Sequence, residues 1–125
     1  MKNSRKKLKV RNLIPVIAAL CALTTPFLSR AKPLTVSITV ANNSTREIRH
    51  VYVSHVNAED WSADQLTAAS IQPGQSYVLQ NVSCDQGQIK VIGEDKEGCF
   101  LSGVVSCGSD ATWTITNETP ADCGQ

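Results

Sequence analysis

The sequence predicts a small all-β protein, an antiparallel β-sandwich of six to seven short strands stapled by disulfides. Apolar and polar residues alternate in several short stretches, as in 36–40, and this period of two is typical of a strand with one face in water. No stretch after residue 31 has the length and the 3.6-residue period of a packed helix. The same part of the chain holds four cysteines.

Six stretches have the composition of strands. In chain order they are 35–40, 48–54, 76–82, 88–93, 99–107 and 111–116. The turn sequence ANNSTRE separates the first two, and EDKEG closes a hairpin between the fourth and the fifth. Pro73 and Gly74 stand where a type II turn requires them. Short strands with one apolar face each bury those faces best as two packed sheets.

Residues 1–31 differ in kind from the rest, since a basic run precedes the apolar segment Leu13–Leu28. This order predicts a cleaved export signal, with cleavage after Ala31, and leaves 32–125 as a single β-sandwich domain. Two prolines interrupt the apolar segment, which is shorter than the ~20 apolar residues of a membrane span. Lipidation at Cys21 is disfavoured by the bulky residue before it, and the choice between general and twin-arginine export stays open.

After cleavage the chain keeps five basic and eleven acidic side chains, a net charge of −6. Nucleic acids and anionic membranes require clustered Lys and Arg to neutralise phosphates. The sequence therefore predicts neither nucleic acid nor an anionic membrane as a partner. The export signal predicts a periplasmic or extracellular location.

The four cysteines after the signal predict two disulfides, because an even number in an exported chain favours oxidation. The hairpin brings Cys84 within reach of Cys107. A second turn near Ser109 would place Cys99 opposite residues 117–119, close to Cys123 on the tail. Zinc is disfavoured, since the spacings contain no Cys-x-x-Cys.

The stretch YVSHVNAEDWSADQL, residues 52–66, carries the candidate site residues Asp60, Trp61, Asp64 and Leu66. His55 with Asp60 or Asp64 could serve a small hydrolase, but no nucleophile motif accompanies them, so we expect no catalytic residue and no cofactor. His50 is expected on a strand face. Glu59, Asp60 and Asp64 could offer oxygen ligands to Ca²⁺, yet the Asp-x-Asp-x-Asp-Gly pattern of a calcium-binding loop is absent. We therefore interpret these acids as caps of the loop.

Two more expectations concern turns and loops. We expect solvated acids at the tip of the hairpin, namely Glu94, Asp95 and Glu97. The best helix candidate is one or two turns at Ser62–Leu66 with Ser62 as N-cap.

Trp61 can either plug the open end of the sandwich or stand out as a ligand platform. Because a connection of about fifteen residues stays ordered only if some of its side chains enter the core, the sequence predicts that Trp61 is buried with Leu66.

The order of these motifs resembles a group of small exported bacterial domains of unknown function. The shared pattern is an Asn-x-Thr turn, a Tyr-Val-Ser strand, an acid-Trp-x-x-Asp-x-Leu loop, a Pro-Gly turn and two cysteines. The matching residues are Asn43, Thr45, Ile48, Tyr52, Ser54, Asp60, Trp61, Asp64, Leu66, Pro73, Gly74, Cys84 and Cys107. Ser62 replaces the Gly of the pattern, and Cys99 and Cys123 are additions. The resemblance implies a β-sandwich and an extracytoplasmic address, and it implies no activity.

The sequence thus predicts a non-enzymatic exported module that binds a protein or a glycan. The alternatives are a small extracytoplasmic hydrolase and a peptidase-inhibitor-like protein.

Overall fold

The computed structural model describes residues 34–125, and it confirms the predicted all-β sandwich. Seven strands follow one another, and no helix occurs among them. They are β1 (Thr35–Asn43), β2 (Ile48–His55), β3 (Ser76–Ser83), β4 (Gln88–Asp95), β5 (Phe100–Ser106), β6 (Ala111–Thr116) and β7 (Ala121–Asp122). The predicted signal, 1–31, lies outside the described residues. The prediction of helical turns at Ser62–Leu66 is wrong, because the backbone N–H and the hydroxyl of Ser62 bind strand β2 instead.

The strands form two sheets, one of three strands in the order β3-β1-β6 and one of four in the order β2-β4-β5-β7. The four-stranded sheet is antiparallel throughout. In the other sheet β1 pairs antiparallel with β3 but parallel with β6. The parallel pair arises because β6 crosses from the end of β5 to the opposite sheet instead of folding back as a hairpin.

The core fills the space between the sheets with inward residues at alternate positions. Val36, Ile38 and Val40 of β1 are buried, as are Val91 of β4 and Leu101 of β5. Trp113 of β6 is also buried, and its ring lies against the backbone of Gly103. This alternation leaves the second face of each sheet in solvent.

Both predicted disulfides are present, Cys84–Cys107 and Cys99–Cys123. The geometry expected for the second one is wrong in one step, since no hairpin turns at Ser109. Cys99 meets Cys123 because the short strand β7 pairs with the start of β5, Phe100 facing Asp122. The bridge therefore fixes the tail to the edge of the four-stranded sheet.

The predicted Pro-Gly turn is confirmed. Gln75 N donates to Gln72 O at 2.9 Å, and Gly74 has a φ of +81°, which only glycine adopts readily. The buried Asn42 side chain ties this region together by donating to the carbonyls of Arg46 and Ile71 at 2.7 and 3.0 Å. Its oxygen accepts from the hydroxyl of Ser44 at 2.6 Å. No polar atom of Asn42 is left unpaired.

Candidate functional site

The connection between β2 and β3 runs along the free edge of β2. Ser62 N donates to Val53 O at 2.9 Å, and Gln65 N donates to Val51 O at 2.7 Å. In return Val53 N donates to the Ser62 hydroxyl at 3.0 Å, and Val51 N donates to Asp64 Oδ1 at 3.1 Å. An edge strand with unpaired amides is a template for aggregation. These four bonds cover the middle of the β2 edge.

Two acids of the loop, Asp60 and Asp64, accept backbone N–H bonds. Asp64 Oδ1 also accepts from Leu66 N at 3.0 Å, and Asp64 Oδ2 lies 2.7 Å from His50 Nδ1. Burial raises the pKa of Asp64, but the hydrogen bonds from His50 and from the two amides outweigh it and lower this pKa. The carboxylate therefore stays ionised and joins the loop to β2 on two sides.

His55 holds the start of the loop through two carboxylates. Its Nδ1 lies 2.5 Å from Asp60 Oδ2, and its Nε2 lies 3.0 Å from Asp85 Oδ2. Only the imidazolium can donate to both acids, since a neutral ring carries one N–H. The hydrogen bonds to Asp60 and then Asp85 raise the pKa of His55, and the bond from His55 lowers the pKa of Asp60 to about 2.

This arrangement bears on the hydrolase alternative. Asp60 contacts His55, whereas Asp64 contacts His50 instead. The neighbouring Ser54 is buried, and its hydroxyl is engaged with Ala58 O at 2.8 Å and Asp60 Oδ1 at 3.0 Å. Neither imidazole nitrogen of His55 faces a hydroxyl. His55 therefore pairs with two carboxylates and does not face a nucleophile.

Trp61 is not buried, so that part of the sequence prediction is wrong. Leu66 is fully buried and anchors the loop in the core, but 41% of Trp61 is exposed. The loop needs no second apolar anchor because its backbone and its polar side chains already bind the β2 edge. Trp61 is therefore available on the outer face of the four-stranded sheet.

Trp61 forms one wall of a groove on that outer face. The groove has a volume of about 440 Å³ and is lined by Tyr52, Trp61, Ser62, Ile92, Glu94 and Phe100. Tyr52 pairs with Ile92 across β2 and β4, and Glu94 pairs with Phe100 across β4 and β5. Residues directly opposite each other on antiparallel strands lie on the same face, with side chains in contact.

The apolar surface extends beyond the groove. Phe100 is 46% exposed and Val104, further along β5, is 54% exposed. Lys90 points to the same face, and its Nζ lies 5.6 Å from the centroid of the Trp61 ring. We call this surface, made of Tyr52, Trp61, Lys90, Ile92, Glu94, Phe100 and Val104, the aromatic face. No pattern of spacing in the sequence could identify it, because its residues come from three strands and one loop.

Sequence reasoning also missed one buried acid. Asp95 was expected to be a solvated residue of the hairpin tip, and this is wrong, since Asp95 is only 2% exposed. Its carboxylate accepts from Glu97 N at 3.0 Å and Cys99 N at 2.9 Å, and it pairs with Arg46. The acid caps the β4–β5 turn from inside, a role that belongs to the fold rather than to a site.

Within residues 34–125, no group of three or more His, Cys, Asp or Glu side chains is placed to hold a metal ion. In the same range no helix has the length and apolar character to cross a membrane. No family model, curated protein or solved structure matches the chain.

Proposed function

We propose that the chain is an exported, non-enzymatic module that binds a partner protein through the aromatic face. The observation that carries the proposal is the exposure of Trp61, Phe100 and Val104 together on one sheet face. Contiguous apolar surface of this kind on a small domain marks an interaction site. Tyr, Trp and Phe are also the residues in which protein interfaces are enriched.

A protein fits this face better than a glycan does. Sugar rings stack on aromatic side chains, but the face also presents the aliphatic side chains of Ile92 and Val104, which pack against apolar side chains of a protein. The two disulfides support an oxidising extracytoplasmic location, where the partner would be met.

The test is capture from an extracytoplasmic extract with matched variants. The wild-type chain and Val78→Ser are expected to retain the same partner, whereas Trp61→Ala and Phe100→Ser lose it. Val78 is the control because it is 48% exposed on β3, in the other sheet. Capture that is equal for all four proteins would refute the role of the aromatic face. A retained species that resists protease but is released by glycosidases would make the ligand a glycan.

A further inference from the structure

The aromatic face is polarised along β4. Lys90 and Glu94 both point outward and stand four residues apart, which corresponds to ~13 Å along a strand. Lys90 lies over the ring of Trp61 at one end. Glu94 lies at the other end, directly opposite Phe100. The aromatic face thus offers an indole ring that already holds a cation at one end and, at the other, a carboxylate that lines the groove.

No described side chain neutralises the carboxylate of Glu94. Among residues 34–125 it makes no ion pair, and His50, its neighbour across β2, directs Nδ1 to Asp64 instead. Glu94 is half-buried beside aromatic rings. Burial raises the pKa of the Tyr52 phenol, and the charges of Glu94 and Asp64 raise it further, so the field at this phenol is negative.

Resting on the proposed function, we propose that the groove receives an arginine side chain of the partner protein, with the guanidinium on Glu94 and against Phe100 and Tyr52. A guanidinium is planar and stacks on aromatic faces, and it forms two parallel hydrogen bonds with a carboxylate. Lysine lacks that planar fork. The acidic excess of the domain would also draw a basic partner towards this face.

The ligand class can be tested without the partner. N-acetyl-arginine amide and its neutral isostere N-acetyl-citrulline amide are titrated into the labelled protein, and the backbone amide shifts of Ile92, Glu94 and Phe100 are followed. The arginine probe is expected to bind roughly three- to tenfold more tightly than the citrulline probe. This preference weakens as salt is added, since screening acts on exposed charges.

Two variants of equal net charge locate the effect. Glu94→Gln is expected to abolish the preference for arginine, whereas Glu97→Gln keeps it, because Glu97 is exposed at the hairpin tip and outside the groove. Equal shifts with both probes, or equal losses in both variants, would overturn the arginine assignment. If arginine binds through Glu94 but Trp61→Ala and Phe100→Ser capture the partner normally, the arginine site stands and the proposed protein-binding role fails.

Discussion

Replacing Gly103 by alanine should destabilise the domain through a single steric conflict. A Cβ placed on Gly103 would lie 2.3 Å from Trp113 Nε1 and 2.8 Å from its Cδ1. Both distances are far below van der Waals contact, and the obstacle is a rigid ring buried between the sheets. Either β5 or the ring of Trp113 must move. Overpacking of this kind costs about 1–3 kcal/mol.

Two other glycines calibrate the result. The added Cβ of Gly93→Ala meets Ile48 Cγ2 at 3.3 Å, a contact that a small shift relieves, and that of Gly108→Ala meets nothing within 4 Å. Thermal unfolding with the disulfides intact should therefore rank Gly103→Ala well below Gly93→Ala, with Gly108→Ala close to the wild type. For a domain of this size each kcal/mol lowers the melting temperature by ~4–8 °C. If Gly103→Ala melts like Gly108→Ala, the Trp113 ring does not cover Gly103.

Trp61, His55 and the Cys84–Cys107 disulfide each give a further prediction. Trp61→Ala should lower the free energy of unfolding by about 1–2 kcal/mol, since the ring is 41% exposed and makes one cation–π contact. Trp113→Ala should lower it by about 3–5 kcal/mol, because this ring is buried. Equal losses in urea unfolding would contradict the exposure of Trp61. The pKa of His55, followed by NMR, should exceed 6.5 and fall when either flanking aspartate becomes asparagine. Because the folded-state pKa is raised, the ion pairs of His55 stabilise the fold fully at a pH below the unfolded-state pKa, and this stabilisation is lost as the pH rises through the folded-state pKa. Stability should therefore fall on the alkaline side, and a His55→Gln variant should lose that pH dependence. Replacing Cys84 and Cys107 by serine should cost about 2–4 kcal/mol by denaturant unfolding, and unchanged stability would show that the bridge adds no constraint.

Alternation and turn chemistry were sufficient to predict β1 to β6, because each of these strands has one wet face and each turn has its own signal, but they did not predict the two-residue strand β7. The Pro73–Gly74 turn and the β4–β5 hairpin are local, so their geometry depends on the residues that form them. The pairing of Cys84 with Cys107 could be predicted for the same reason, since it follows from one hairpin register.

Long-range partners could not be predicted in this way. β5 and β6 are separated by only four residues, which suggests a hairpin, yet β6 pairs parallel with β1 because its apolar residues Trp113 and Ile115 complete the other face of the core. Asp95 has the local sequence of a solvated turn acid, and only the arrival of Arg46 and the Cys99 amide makes its burial favourable.

The exposure of Trp61 shows that the loop covers the β2 edge without burying its indole. An extended segment beside a strand turns successive side chains in different directions. Here Ser62 and Asp64 turn to the amides of β2 and Leu66 enters the core, so the edge is covered without any contribution from the indole. If a buried Trp61 were the only anchor of the loop, a substitution of this residue would release the loop. Since the anchor is Leu66 and the edge bonds belong to other residues, a substitution at position 61 changes the outer surface while β2 stays protected.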